Sequence, residues 1–142
     1  MPLPNDVIRQ RLQLLEDYVR QLQRFRNRTL DEITNDLGLA WAIEHGLQLS
    51  IQCVIDICQY LVAQLALGVP NTSEEAIDLL GKAGVFPVEF AQTLGRMTRF
   101  RNILVHVYTK VNVGLVYDNL QNHLNDFAEF ARHVLSFVDS LA

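Results

Sequence analysis

Apolar residues recur at helical spacing along most of the chain. Ile8, Leu12, Leu15, Val19, Leu22 and Phe25 stand three or four apart, which draws one apolar stripe on an amphipathic helix. The "TLDE" run follows as a capping box, in which the Thr29 hydroxyl and the Glu32 carboxylate satisfy free N–H groups at a new helix start. A long helix is predicted from about Leu37 to Leu67. Its centre, "LQLSIQCVIDICQYLV", is apolar around much of its circumference, as the central helix of a bundle should be. "GVPNTSEE" breaks the pattern: Gly68 and Pro70 end the long helix, and Thr72 with Glu75 makes a second capping box. A short helix then reaches about Lys82 and closes at Gly84. Pro87 suits the first turn of the next helix, predicted to reach about Tyr108. After the turn "KVNVG", a last helix from about Leu115 to Leu141 lines up Leu120, Leu124, Phe127, Ala131, Val134 and Val138. The pattern predicts an all-α fold, an up-and-down four-helix bundle with one extra short helix, in a single domain over residues 1–142.

Composition narrows the class. Apolar residues at 49% and charged residues at 20% are enough for a folded core and exclude global disorder. No uninterrupted apolar run approaches the roughly 18 residues of a membrane span. The start "MPLPNDVIRQ" lacks the basic and apolar regions of a signal peptide, so a cytoplasmic protein without membrane contact is expected. Cys53 and Cys58, five apart, point to different sides of a helix and read as buried reduced thiols. The four His residues show no HExxH or comparable pairing, so neither a metal nor another cofactor is expected. The net charge of −4 confines any nucleic-acid contact to a local patch.

One helix carries a concentration of chemistry: "RFRNILVHVY", from Arg99 to Tyr108. At roughly 100° per residue, Met97, Phe100, Ile103, Leu104 and Val107 fall on one side, which is expected to pack into the bundle. The remaining arc holds Tyr108, Arg101, Asn102 and His106, with Leu94 and Val105 among them. Two branched apolar residues inside a polar arc predict that a second copy of the chain covers it. Between Phe90 and Tyr117 stand Arg96, Arg99, Arg101 and Lys110 with no Asp or Glu, a local positive field suited to phosphate.

These residue types permit a narrow chemistry. A histidine can take or give a proton near neutrality, and an arginine holds a phosphate and its transition-state charge. Asn102, four residues before His106, can orient the imidazole or a substrate oxygen. Together they suit RNA cleavage, in which the 2′-hydroxyl is the nucleophile and the protein needs none of its own. Taken singly, each has an ordinary structural explanation: a solvated Arg, a His at a helix terminus, a packed Tyr ring. Arg and His at this spacing alone arise by chance about 0.3 times in such a chain; adding the Asn and the Tyr lowers that to roughly 0.0005.

"RNILVHVY" resembles the R-N-x-x-x-H-x-Y signature of HEPN-domain ribonuclease toxins, in particular the HepT-like branch. "LQLSIQCVIDICQYL" and "AIDLLGKAGVFPVEFAQTLGRMTRFRNILVH" extend the resemblance over roughly Leu47 to Tyr117. The resemblance implies an all-helical homodimer whose motif helices meet, with Arg101, Asn102 and His106 of both chains in a composite cleft. It implies a metal-independent endoribonuclease acting as a toxin. It further implies a minimal nucleotidyltransferase antitoxin that attaches AMP to Tyr108, placing bulk and negative charge beside Arg101. Arg101 and His106 are the candidate catalytic residues, and Asn102, Arg99 and Arg96 are candidates for binding substrate or supporting the site.

Two other functions fit the same sequence. One is a non-catalytic HEPN module that binds a nucleotidyltransferase or a nucleotide; the other is a dimeric helical scaffold. The intact Arg–Asn–His set favours the nuclease, because a binding module has no use for the histidine. Glu44, His45, Gln48 and Asp56 form a second polar group on the long helix. Asp56, flanked by apolar residues, is expected to be at least half buried and partnered, more as a structural bond than as support for the site. His45, His123 and His133 have no motif around them and are expected to be surface or packing residues.

Overall fold

A computed structural model of the chain describes residues 5–106 and 112–141, with the backbone alone described at positions 5 and 106. Among the described residues the chain forms seven helices and no strand: α1 (Asn5–Gln23), α2 (Leu30–Thr34), α3 (Leu37–Gln64), α4 (Ser73–Lys82), α5 (Val88–His106), α6 (Val113–Asn122) and α7 (Asn125–Ser140). The all-α bundle follows from the pattern, with α3 at its centre packed against every other helix. Buried residues run along α3 from Ala40 to Val62 and cover more than one face, as its apolar composition requires. By length and composition alone α3 could cross a membrane. Its apolar surface is instead covered by the other helices of the bundle, whose outer faces carry charge.

The α1 stripe is buried at Ile8, Leu12, Leu15 and Leu22 and packs on α3. Arg11 approaches Asp56, and Leu22 lies against Gly46, so the two helices run antiparallel. Gly46 permits the contact, because a Cβ there would stand 2.8 Å from a Leu22 methyl carbon that is itself enclosed. At the opposite end Arg9 donates to Asp139 at 2.9 Å and ties α1 to α7. Arg26 and Gln121 exchange two side-chain-to-backbone bonds, which fix the end of the first segment to α6.

The helix boundaries show which local signals act. Thr29 and Glu32 form the complete capping box. Thr72 accepts from the Glu75 N–H, but the Glu75 carboxylate accepts from Asn71 rather than from Thr72. The long helix stops at Gln64, short of Leu67. Ala66 turns left-handed (φ 54°), and Leu67 and Ala66 donate back to the Val62 and Ala63 carbonyls. Those bonds satisfy the open helix end before the chain reaches Gly68 and Pro70. Pro87 stands just outside α5, its carbonyl accepting the first helical bond from Ala91.

The predicted last helix is two helices, and it begins at Val113. At His123 and Leu124 the backbone changes to i→i+3 bonds, from Asp126 to His123 and from Phe127 to Leu124. The side chains of "DNLQNHLND" draw this break: Asn122 donates to Asp118, and the His123 ring sits between Asp118 and Asp126. Leu120, Leu124 and Phe127 stay buried across it, so the apolar stripe alone gives no sign of the interruption.

Two assignments on α5 change. Leu94 is fully buried in the chain's own core, not on a face awaiting a second copy. Ile103, expected inside, is 39% exposed. Toward its C-terminus α5 is less covered, and the inner side of the helix runs through Leu94, Met97, Thr98 and Phe100 to the partly buried Leu104. The Thr98 hydroxyl is accommodated by donating to the Gly95 carbonyl at 2.8 Å. Truncating a fully enclosed leucine removes its transfer energy and leaves a cavity. Leu94→Ala is expected to cost about 2–5 kcal/mol in chemical denaturation, by the same amount at low and high protein concentration. A loss that vanishes on dilution would return Leu94 to an interface between copies.

Candidate active site at the end of helix α5

The last two turns of α5 bring part of the predicted site to the surface. Arg101 is partly buried, Asn102 exposed, and Leu104 and Val105 intermediate. His106 is the last described residue of the helix, and its backbone lies one turn beyond Asn102. The His106 side chain, Val107, Tyr108 and Lys110 lie outside the described residues.

Arg101 is held in an unusual way. Its Nη2 donates to the Gln52 side-chain carbonyl at 2.6 Å, across to α3, and its Nη1 donates to the Asn102 carbonyl oxygen at 3.3 Å. Its Nε is buried, with no acceptor among the described residues. Both partners are neutral amides. They direct the guanidinium without cancelling its charge, which leaves a cation able to accept a phosphate.

The other arginines of the helix are differently placed. Arg96 donates to His123 at 3.1 Å and pairs with Asp126 at 3.4 Å. Arg99 pairs with Glu74 on α4 at 3.2 Å. At about 100° per residue both lie far around the helix from Arg101. The stretch contains no acid, but acids from α4 and α7 face it, so the expected broad positive field contracts to Arg101 among the described residues. The helical wheel gave each position's angle but not the charges its neighbours would supply.

Asp56 is more than half buried, as expected, with its side chain 41% exposed. It accepts from the Gln52 amide at 2.8 Å and lies 4.0 Å from Arg11. Gln52 is the residue sequence reasoning missed. Its only signal is the Gln52/Asp56 spacing of four, which sets both on one face of α3 beneath the motif helix.

The remaining candidates are less connected. Cys53 and Cys58 are buried and unlinked; burial pushes the Cys58 thiol far up, and burial followed by the Asp56 charge raises Cys53. His45 is exposed. His123 is more engaged than expected. Its Nδ1 accepts from Arg96, so Nε2 carries the proton toward Asp118 at 3.2 Å. The Asn122 amide leads in holding the Asp118 carboxyl below its ordinary range, whereas burial pushes Asp126 up. Among the described residues no cluster of His, Cys, Asp and Glu could hold a metal ion.

Glu44 is half-buried, and burial raises its carboxyl above the ordinary 4.5. The folded chain therefore keeps this proton to higher pH than the unfolded chain, and stability falls as pH rises above about 4.5. Glu44→Gln should raise the melting temperature at pH 7 and leave it unchanged below the ordinary carboxyl range, in melts run across pH. Equal gains at pH 3 and pH 7 would show that Glu44 acts by packing alone.

Several known proteins share this architecture. An mRNA nuclease HepT from Shewanella oneidensis is 27% identical over 126 residues, covering 89% of this chain and 94% of that protein. A tRNA nuclease HepT from Aphanizomenon flos-aquae is 29% identical over 135 residues, covering 95% and 92%. Among solved structures, a tri-AMPylated HEPN toxin from Shewanella oneidensis in complex with an MNT antitoxin superposes with TM-score 0.84 at 25% identity, over 92% of this chain and 98% of that one. A cytosolic protein of unknown function from Bacillus subtilis shares the fold at TM-score 0.82 and 17% identity, over 97% and 92%. The family model for HepT-like ribonucleases matches residues 15–134, and the chain belongs to that family.

Proposed function

We propose that this chain is the toxin of a HepT/MntA-type toxin–antitoxin pair, an endoribonuclease that cleaves RNA without a metal ion and acts in the cytoplasm. The observation that carries this reading is Arg101: a guanidinium aimed by two neutral amides, carrying its full charge, one and a half turns before a histidine at the end of the same helix. A phosphodiester needs that pair of groups. Arg101 binds a non-bridging phosphate oxygen and stabilises the extra charge of the five-coordinate transition state. Imidazole removes the proton of the 2′-hydroxyl as it attacks phosphorus, and a second imidazole protonates the leaving 5′-oxygen. The products carry a 2′,3′-cyclic phosphate and a 5′-hydroxyl.

Two proton carriers are needed, and each chain has one His106. A homodimer joined along the end of α5 brings in both, which accounts for apolar side chains left uncovered around that helix end, Ile103 39% exposed and Val105 only partly covered. Asn102 orients the imidazole or a ribose oxygen. Arg96 and Arg99, paired with Asp126 and Glu74, support the site by holding α5 in place. The antitoxin partner is a minimal nucleotidyltransferase that places AMP on Tyr108, whose phosphate then occupies the Arg101 cation. The mRNA and tRNA nucleases among the relatives and the AMPylated toxin bound to an MNT antitoxin support this assignment.

Purified protein with mixed RNA and excess chelator is expected to produce cyclic-phosphate ends. His106→Ala should lower the rate at least 100-fold, within the span of a general acid–base contribution. Equal activity in variant and parent would move the assignment to a non-catalytic module. Val105→Glu should dissociate the dimer in analytical ultracentrifugation and lower cleavage in parallel, since burying an unpaired charge at the interface is unfavourable. A fully active monomer would remove the composite site.

A further inference from the structure

Arg101 touches nothing ionised among the described residues, yet a line of polar groups leads from it to a charge: Arg101 to Gln52, Gln52 to Asp56, Asp56 to Arg11. We infer that Gln52 and Asp56 form a positioning relay that aims Arg101 at the scissile phosphate without neutralising it. This inference rests on the ribonuclease reading for its consequence in catalysis, though not for the geometry.

The relay follows from the asymmetry of an amide. The Gln52 head group has an accepting end and a donating end. Its oxygen meets the Arg101 Nη2 at 2.6 Å, and its nitrogen meets the Asp56 carboxylate at 2.8 Å. Turning the amide over would set NH2 against guanidinium, two donors face to face, and carbonyl oxygen against carboxylate. Both contacts would become repulsive. Asp56 therefore selects one of the two orientations of Gln52, and that orientation presents an acceptor to Arg101. Arg11 on α1 stands 4.0 Å from Asp56 at the far end of the line. The four groups belong to α1, α3 and α5, so bundle packing sets where the cation points.

Residue type at position 52 then has a chemical consequence. A carboxylate in place of the amide would hold Arg101 as well or better, but as a closed ion pair, and a phosphate would have to displace it. An aliphatic residue would leave the charge free and undirected. A glutamine avoids both. Asp56 acts only through Gln52, and an asparagine there retains an oxygen that can accept from the Gln52 amide.

Four variants separate these effects: Gln52→Leu, Gln52→Glu, Asp56→Leu and Asp56→Asn. In cleavage assays Gln52→Leu and Asp56→Leu are expected to lower kcat at least tenfold with KM changed less than threefold, because charge is kept and aim is lost. Gln52→Glu should instead raise KM at least tenfold. Asp56→Asn should stay within threefold of the parent, the rescue that distinguishes a hydrogen-bond relay from a need for charge. A second readout does not require activity: rotation about the Arg101 Nε–Cζ bond, followed by NMR of arginine-labelled dimer. It should be slow in the parent and in Asp56→Asn, and at least tenfold faster in Gln52→Leu and Asp56→Leu. Leucine variants that cleave like the parent while Arg101→Ala is inactive would overturn the relay and leave the nuclease reading intact. An inactive parent with slow rotation that Gln52→Leu releases would uphold the geometry and overturn the nuclease reading. Rotation as fast in the parent as in Gln52→Leu would overturn the relay outright.

Discussion

The site depends on a positive charge that is fixed in place but not cancelled. A surface arginine beside a carboxylate becomes a salt bridge, and Arg96 and Arg99 show that outcome on the same helix. Arg101 escapes it because its neighbours are the amides of Gln52 and Asn102. Amide dipoles direct a guanidinium through hydrogen bonds while leaving its unit charge to a ligand, and in a partly buried position that charge is screened less than in open water. The nearest acid, Asp56, meets Arg101 only through the Gln52 amide, which leaves the guanidinium charge open for the proposed phosphate contact.

The bundle makes the exception possible. Because α3 is apolar around most of its surface, all other helices can pack on it, and its few polar side chains emerge at defined seams. Gln52 and Asp56 emerge at one seam, between α1 and α5. The close approach at Gly46 and the antiparallel run of α1 bring Arg11 alongside Asp56. Beyond Phe100, α5 touches the core only through the partly buried Leu104, and there polar chemistry and exposed Ile103 share the helix. The same loss of packing that exposes the motif gives a second copy something apolar to cover.

Much of this was legible in the sequence, for physical reasons that also mark where legibility stopped. The apolar stripes of α1 and α3 and the Thr29/Glu32 box depend on residues within a few positions of one another, so spacing alone predicts them. The end of α3 did not follow its Gly and Pro signals, because backbone bonds at Ala66 closed the helix first. The break at His123 was hidden because apolar periodicity continues through it while the polar side chains decide it. In the motif helix the pattern separated inner from outer positions but misplaced Leu94 and Ile103, since neighbouring helices determine which arc is covered. Gln52 was legible only as the residue four positions before Asp56. Its importance lies in a partner 49 residues away, and no local pattern encodes that meeting.

The most direct test is the affinity of a cleavage-resistant, 2′-deoxy-substituted RNA for three arginine variants across a range of salt. Arg101→Ala should weaken binding and flatten the dependence of log affinity on log salt by about 0.7 for each phosphate that the protein no longer neutralises. Arg96→Ala and Arg99→Ala should leave that slope unchanged, their charges being already matched by Asp126 and Glu74. A slope that falls for Arg96→Ala or Arg99→Ala and holds for Arg101→Ala would contradict the claim that the uncancelled Arg101 is where phosphate binds.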